Sequence, residues 1–292
     1  MAQNFSKEEH VDVYQKVTNR ILEMMSQGII PWNKPWHGGL DGAISYTTRK
    51  PYSLLNQLLL GKEGEYLTFR QVEALKGKVK KGAKAQMVVF FKQFAYEDFQ
   101  KGENGEMVAI KKTIPVLRYY NVFHISDCEG IQSKFSEKPV CTLSPIEAAE
   151  KIVDTYYERE ACELHIRKSD RAYYSPSLDE VVVPLLEQYD NEAEYYSTLF
   201  HESVHSTGHK SRLNRDEVQG SHFGSDPYAK EELVAELGAA FLCHTAGIDC
   251  EKAMKNSAAY IQSWSKRFKE DKRLIVSAAS RAEKAVKFIL GE

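Results

Sequence analysis

Cysteine is scarce in this sequence, and no two cysteines have the C-x-x-C spacing of a metal or redox site. Five cysteines, an odd number, do not suggest a disulfide framework, so we expect reduced thiols and no cysteine-based zinc cluster. No apolar run is long enough to cross a bilayer. Met1 to Ser6 is followed by acidic residues, and not by the basic and then apolar stretch of a signal peptide. We therefore expect a cytoplasmic protein that makes no contact with a membrane.

A strong net charge is also lacking, because 39 Lys and Arg residues face 41 Asp and Glu residues. The charge is nevertheless uneven: residues 1–130 carry 18 basic against 14 acidic side chains, and residues 131–292 carry 21 against 27. The most basic region, 62–92, has eight Lys and Arg against three Glu. Such a cluster is either a solvated surface or part of a nucleic-acid interface. Its charge alone does not choose between these two interpretations.

An H-E-x-x-H motif at residues 201–205 is the main candidate for chemistry. His201 and His205 lie four residues apart, so on a helix they share one face and can bind the same divalent ion, with Glu202 beside it. Asn191 and Glu194 have the spacing of a capping box, which supports a helix here. The motif therefore predicts a metal site with Glu202 as the catalytic base. The alternative is a pair of surface histidines on a polar helix face.

The third metal ligand is less clear from the sequence. His209 fails as part of an H-E-x-x-H-x-x-G-x-x-H pattern, because the final position is Ser211. Glu232 and Glu236 lie four apart on a second predicted helix, and this spacing resembles the E-x-x-x-D pattern of gluzincins, with Glu in place of the Asp. By that register Glu232 is the metal ligand. Glu236 is then the partner of a ligating histidine or an alternative ligand, while Glu231 is expected to point elsewhere.

These residues together predict a zinc-dependent hydrolase site. Zinc held by two histidines and a glutamate leaves a position for water, whose pKa the ion lowers toward about 7. Glu202 then takes the proton of that water as it attacks an amide carbonyl, so the predicted cofactor is Zn²⁺ and the predicted reaction is amide hydrolysis. Other candidates for a ligand, a transition-state donor or a structural role are His222, His244, Tyr173, Tyr174 and Tyr228.

Aromatic and basic residues alternate in the first half of the chain. Trp32 and Trp36 lie in a segment rich in proline and glycine, where large rings either pack onto the core or stack with a ligand. Rings that stack on bases and cations that contact phosphates are typical of single-strand binding. The candidate DNA-binding residues are Trp32, Trp36, Arg49, Lys50, Tyr52, Lys78, Lys80, Lys81 and Lys84.

Capping boxes, apolar periodicity and β-branched runs predict the elements of this half. We expect helices at about Glu8 to Gln27, Leu54 to Leu60 and Thr68 to Leu75, strands at Gln86 to Phe91 and Val116 to Phe123, and a long hairpin loop at Glu97 to Glu106.

Several short motifs resemble the N-terminal domain of the ArdC antirestriction proteins, which also occurs in some plasmid primases. They are P-W-x-x-P-W at 31–36, Tyr52 to Asn56, Leu67 to Gln71, Val79 to Gly82 and Tyr120 to Phe123. The resemblance implies single-stranded DNA binding, cytoplasmic action and origin on a mobile element. It continues into the second half, where such proteins carry a zincin-like metallopeptidase domain. Tyr46 to Pro51 departs from the family pattern.

The predicted fold is α+β with two domains: an N-terminal α+β domain that binds single-stranded DNA at residues 1–132, and a gluzincin-type metallopeptidase domain at 144–292. A polar segment with Pro139, at 133–143, is the predicted linker. The expected partners are single-stranded DNA and, for the peptidase domain, a protein substrate. Two alternatives remain: a DNA-protecting module whose zincin domain is a non-catalytic scaffold, and a stand-alone cytoplasmic metallopeptidase.

Overall fold

The computed structural model describes residues 12–32, 42–101, 106–134, 143–215, 226–249 and 258–292. In the first half, the elements are α1 (Val13–Ser26), β1 (Ala43–Ser45), α2 (Leu54–Leu60), β2 (Gly64–Thr68), α3 (Phe69–Ala74), β3 (Lys78–Val79), β4 (Gln86–Lys101), β5 (Met107–His124) and β6 (Cys128–Glu129). In the second half they are α4 (Pro145–Arg159), β7 (Glu163–Ile166), β8 (Tyr173–Ser175), β9 (Glu180–Val183), α5 (Glu192–Ser206), α6 (Asp226–Ala246), α7 (Ala258–Glu270) and α8 (Leu274–Leu290). The predicted mixed α+β class is confirmed.

The side chain of Asp12 sets the start of helix α1. It accepts a hydrogen bond from the backbone N–H of Gln15, and Asp12 itself has an extended backbone, so the helix begins at Val13. The predicted start near Glu8 is therefore wrong. Complete capping boxes start two other helices, formed by Thr68 with Gln71 at α3 and by Ser144 with Glu147 at α4.

The first half is built on a four-stranded sheet with the order β1-β2-β5-β4. Strand β5 pairs with β2 only from Val122 to His124, whereas β4 and β5 pair with each other from Gln86 to Lys101. In the part of the chain that the structure describes, β4 and β5 therefore extend from the sheet as a two-stranded ribbon. The loop predicted from Glu97 to Glu106 is shorter than expected, because each strand satisfies the other's backbone hydrogen bonds despite the polar side chains.

The second half places a small sheet against helices. Strand β9 lies between the parallel β7 and the antiparallel β8. Helix α5 contacts this sheet, α6 packs along α5, and α8 packs along α6. This order of strands followed by the helix that carries the H-E-x-x-H motif positions the candidate metal site between α5 and α6. None of the described helices is both long and apolar enough to cross a membrane.

The largest hydrophobic core is shared by the two halves of the chain. Its fully buried members include Val17, Ile21, Leu54, Leu58, Leu233, Phe268, Ile275 and Val286. Polar contacts cross the same boundary: Thr18 Oγ1 donates to the carbonyl of Lys272 at 2.9 Å, and the N–H of Leu54 donates to Glu283 Oε2 at 3.3 Å. Removing the second half would expose α1 and α2, so functional experiments require the full chain. The domain limits stay predictions, and most of the predicted linker lies outside the described residues.

Gly238 allows α5 and α6 to approach closely. A Cβ atom at this position would lie 2.7 Å from Cγ2 of Val204, the residue before His205 on α5. We expect Gly238→Ala to destabilise the protein by about 1–3 kcal/mol, because the overpacked contact outweighs the better helix propensity of alanine. Thermal unfolding measures the effect. In the double variant Gly238→Ala/Val204→Ala, the free energy of unfolding should fall by less than the sum of the losses in the two single variants. Additive losses would contradict the steric explanation.

Candidate metal centre

Three side chains from two helices form the candidate metal centre. His201 and His205 of α5 have their Nε2 atoms 3.1 Å apart. Glu232 of α6 has one carboxylate oxygen 3.6 Å from His201 Nε2 and the other 3.4 Å from His205 Nε2. One donor atom from each side chain lies within 4.8 Å of the others. Two imidazole nitrogens and one carboxylate are a ligand set that suits a divalent ion such as zinc, so these residues could hold one.

Glu231, and not Glu236, contacts the outer nitrogen of a histidine in this centre. His205 Nδ1 lies 3.2 Å from Glu231 Oε1. If Nδ1 carries the proton and donates a hydrogen bond to this carboxylate, the lone pair of Nε2 faces His201 and Glu232, the other two candidate ligands. We predicted that Glu236 would occupy this position and that Glu231 would point elsewhere, but the structure gives the position to Glu231.

Arg215 holds Glu231 in place beside His205. Its Nη2 and Nε atoms donate to the two oxygens of Glu231, at 2.6 and 2.9 Å. The same guanidinium donates to the carbonyl of Val204 at 2.8 Å and to Thr207 Oγ1 at 2.7 Å. Both Arg215 and Glu231 are buried. This ion pair therefore ties the end of α5 to α6, and sequence reasoning missed it because Arg215 lies in a turn outside any motif.

The surrounding charges keep the carboxylates ionised. Burial acts to raise the pKa of Glu232, but hydrogen bonds from His201 and His205 outweigh it and lower the pKa well below its usual range. Burial opposes ionisation of Glu231 in the same way, while His205 and Arg215 lower the pKa. For His205, burial lowers the pKa, but Glu231 and Glu232 outweigh burial and raise it. Glu231 and Glu232 are therefore both ionised at neutral pH, as the partner of a ligating histidine and a metal ligand need to be.

Glu236 lies one helical turn beyond Glu232 and belongs to a different hydrogen-bond chain. The Tyr260 hydroxyl donates to Glu236 Oε2, and Trp32 Nε1 donates to the Tyr260 oxygen at 3.3 Å. Burial raises the pKa of Glu236 to about 7, against the opposing effect of the Tyr260 hydrogen bond. Glu236 is not part of the group of three candidate ligands. Its contacts connect α6 to α7 and to the first half of the chain.

Glu202 follows His201 on α5 and is partly exposed, as a base that must reach a water molecule requires. Of the three candidate tyrosines, Tyr228 is the one that interacts with the centre: burial and the nearby Glu232 raise its pKa to about 12. Tyr174 donates to Asp179 at 2.8 Å, and Tyr173 accepts from Arg167 at 3.4 Å. These contacts place Tyr173 and Tyr174 in other networks.

The three other histidines that the sequence offered as candidates have different positions. His209 contacts Ser211, and its Nδ1 lies 3.7 Å from Asp179. His244 lies in the last turn of α6 near Phe241, with ring centroids 6.1 Å apart. His222 lies outside the described residues.

Trp32 is part of the core, and the prediction that it binds DNA is wrong. Only 4% of its surface is exposed. Its ring meets Phe268 edge to face with centroids 6.2 Å apart, and its Nε1 donates to Tyr260. The apolar environment between α1 and α7 explains why this ring folds inward. The second predicted tryptophan, Trp36, lies outside the described residues.

Two further predicted DNA-binding residues also have structural contacts. Arg49 has a positive φ of 59°, and its guanidinium pairs with the buried carboxylate of Glu65 and donates to the carbonyl of Lys134 at 3.2 Å. Tyr52 is half-buried against Tyr66, with ring centroids 6.3 Å apart. Arg49 thus anchors a loop to a buried charge, and Tyr52 presents only part of its ring.

The predicted lysines are exposed. They are Lys50, Lys78, Lys80, Lys81 and Lys84. Lys80 also donates to the carbonyl of Ser126 at 2.9 Å, which fixes it beside the end of β5. The segment from Lys78 to Lys84 leads directly into β4, so its positive charge lies at the base of the ribbon. DNA binding by these lysines stays a prediction.

Comparisons with known proteins match a family to each half of the chain. Residues 11–123 match the N-terminal domain of the anti-restriction factor ArdC, and residues 149–281 match a zincin-like metallopeptidase family. The chain is similar to the crystal structure of the antirestriction protein ArdC from the R388 plasmid in its metal-free form. That match has a TM-score of 0.72 and 34% identity, and covers 96% of this chain and 97% of that one. The Mn(II)-bound structure of the same protein matches with the same TM-score at 31% identity, over 96% and 98% of the two chains.

Curated relatives extend the comparison. A DNA primase TraC of Escherichia coli is 33% identical over 95% of this chain, which spans only 27% of that primase. The uncharacterised protein y4eC of Sinorhizobium fredii (strain NBRC 101917 / NGR234) is 31% identical, over 93% of this chain and 89% of that one. These matches run across both halves. The chain therefore belongs to the family of ArdC antirestriction proteins, with an ArdC-type N-terminal domain and a zincin-like metallopeptidase domain.

Proposed function

We propose that this protein is a single-stranded DNA-binding antirestriction protein whose second half is a metal-dependent peptidase. The observation that carries the peptidase proposal is the convergence of His201, His205 and Glu232, with Glu202 on the same helix as the histidines. A site that only held a structural ion would not need a base beside it. The match to a zincin-like metallopeptidase family supports the same reaction class.

The residues present fit a divalent ion, because two imidazole nitrogens and an ionised carboxylate face one another. We propose Zn²⁺ as this ion, and Mn²⁺ is the competitor because the R388 relative has a Mn(II)-bound structure. When bound, such an ion polarises a carbonyl and lowers the pKa of a water ligand. His201, His205 and Glu232 would hold it, and Glu231 would orient His205.

Glu202 supplies the proton transfer in this proposal. Its carboxylate accepts the proton of the attacking water and passes it to the leaving amine. Tyr228 is our candidate for a hydrogen-bond donor to the carbonyl oxygen of the substrate, because it is the candidate tyrosine that interacts with Glu232. Its raised pKa of about 12 keeps the hydroxyl protonated at neutral pH, so it can donate.

Single-stranded DNA is the proposed partner of the first half. Support comes from the match to the ArdC N-terminal domain, from the similarity to a DNA primase and from the exposed lysines at the base of the ribbon. Binding should weaken steeply with salt, since about 0.7 counterions leave per neutralised phosphate of a single strand. Action in the cytoplasm and a protein substrate stay predictions.

Binding of the full chain to a single-stranded oligonucleotide and to its duplex, measured over a range of salt concentrations, tests the DNA proposal. We expect tighter binding to the single strand. Digestion of a peptide library, with and without a chelator, tests the peptidase proposal. A chain that binds single strands and metal but cleaves no peptide would favour the non-catalytic scaffold instead. A chain that cleaves peptides but does not bind DNA would favour the stand-alone peptidase.

A further inference from the structure

The ribbon formed by β4 and β5 has two different faces. Directly opposed residues of an antiparallel pair lie on the same side, and successive residues of a strand alternate between sides. The register therefore places on one side the pairs Phe90 with Arg118, Lys92 with Val116, Phe94 with Ile114, and Tyr96 with Lys112. We call this side, which also includes Tyr120, the aromatic face. The other side, with Phe91, Glu97, Phe99 and Lys111, is the reverse face.

Large rings on the aromatic face are exposed to an unusual degree. Phe90 is 45% exposed, Phe94 is 54% exposed and Tyr120 is 47% exposed. Tyr52 extends the row, since its ring centroid lies 6.2 Å from that of Phe90, which in turn lies 6.0 Å from that of Tyr120. A contiguous exposed row of this kind is typical of a binding surface.

Cations lie between these rings. Lys92 and Arg118 are exposed. Lys112 pairs with Asp98, which is the single carboxylate among the described side chains of this face. The aromatic face is therefore net positive, and the exposed basic segment from Lys78 to Lys84 leads into β4 at the base of the ribbon. Its charge is complementary to a polyanion and not to another basic or apolar surface.

The reverse face has a different character. Near the base of the ribbon, Val89 and Leu117 are buried in the shared core. Farther out, Glu97 is opposite Lys111, so the charges balance, and the positions between Phe91 and Phe99 are Gln93, Ala95 and Glu97. The base of the aromatic face is packed as well, since Val88 and Val122 are buried there, and rings farther out on the reverse face, Phe91 and Phe99, are also exposed. The two faces therefore differ in charge, because the aromatic face is net positive and the charges of the reverse face balance.

We infer that the aromatic face is where single-stranded DNA binds, with bases stacked on Phe90, Phe94 and Tyr120 and phosphates contacted by Lys92 and Arg118. This inference rests on the proposed single-strand binding and adds the surface that performs it. Side chains two apart on a strand are about 7 Å apart, so rings and cations alternate along an extended ligand. Stacking on rings requires bases that are unpaired, so the face should prefer a single strand to a duplex.

Fluorescence anisotropy of full-length variants with oligo(dT) tests this surface. Phe94→Ala should weaken binding by about 5- to 150-fold, the range of a lost base-stacking contact, with little change in the salt dependence. Lys92→Ala/Arg118→Ala should lower the slope of log affinity against log salt by about 1.4, because two phosphate contacts are lost. All three side chains are exposed, so the variants should keep the wild-type melting temperature.

Matched controls lie on the reverse face of the same ribbon. Phe99 is 58% exposed and Lys111 is also exposed, so Phe99→Ala and Lys111→Ala remove the same chemistry from the other side. Both should bind oligo(dT) within about twofold of wild type, by the small effect expected for surface changes outside the site. Equal losses for Phe94→Ala and Phe99→Ala, or no loss for either, would overturn the assignment of this face.

The outcome for wild type separates this inference from the proposed function. If wild type binds oligo(dT) and the aromatic-face variants bind equally well, single-strand binding stands and the surface is elsewhere. If wild type itself does not bind, the proposed DNA function fails. Sedimentation velocity in the same buffer tests a second copy of the chain as the occupant. A dimer that Phe94→Ala dissociates, with unchanged DNA affinity, would overturn the inference in favour of self-association.

Discussion

Glu202→Gln should reduce peptide hydrolysis by about 10²- to 10⁴-fold, the usual contribution of a positioned general base. Glutamine has nearly the same shape as glutamate but cannot accept the proton of the attacking water. Glu202 is not one of the three converging donors, so the variant should bind the same amount of metal as wild type. Digestion of a peptide library followed by mass spectrometry measures the loss.

Glu192→Gln is the matched control for this substitution. Glu192 lies in the first turn of the same helix and is exposed, far along α5 from the two histidines. Its replacement should leave hydrolysis unchanged. Wild-type rates in Glu202→Gln would exclude Glu202 as the base, and an equal loss in both variants would point to a general effect on α5.

The second large effect concerns stability. We expect Arg215→Met to destabilise the protein by about 3–5 kcal/mol, because it leaves the buried carboxylate of Glu231 without its cation. Arg215 also donates to the carbonyl of Val204 and to Thr207, and these acceptors would lose their partner as well. Chemical denaturation of the metal-free protein measures the change without a contribution from metal binding.

An exposed arginine provides the comparison. Arg20 pairs with Glu23 on the surface of α1 at 2.7 Å. Arg20→Met should change the free energy of unfolding by less than about 1 kcal/mol, since exposed ion pairs contribute little. Similar small effects in both variants would show that the Arg215–Glu231 pair does not hold α5 to α6.

The sequence predicted the local parts of this site better than the contacts between helices. Asn191 caps α5 as its side-chain chemistry required, and the spacing of His201 and His205 places both rings on one face of that helix. The choice between Glu231 and Glu236 depended on how α6 crosses α5. Three neighbouring acidic positions on one helix do not reveal that crossing, so the partner of His205 could not be predicted.

The N-terminal half shows the same limit. A tryptophan in a loop of prolines and glycines can pack inward or face solvent, and the contacts that bury Trp32 come from α7, more than 200 residues along the chain. The length of the ribbon was underestimated for a related reason. Its polar stretch after Glu97 lacks the pattern of a strand in a sheet, and its strands form because each pairs with the other. Both errors involve partners that are distant in sequence.

Metal content of purified full-length variants, after loading with Zn²⁺ and desalting, tests the central claim most directly. Wild type and Glu236→Ala should retain about one ion per chain, while His201→Ala, His205→Ala and Glu232→Ala should each retain less than about 0.1, because each lacks one of three protein ligands. Full retention by Glu232→Ala together with loss by Glu236→Ala would contradict the account, as would wild-type occupancy in the histidine variants.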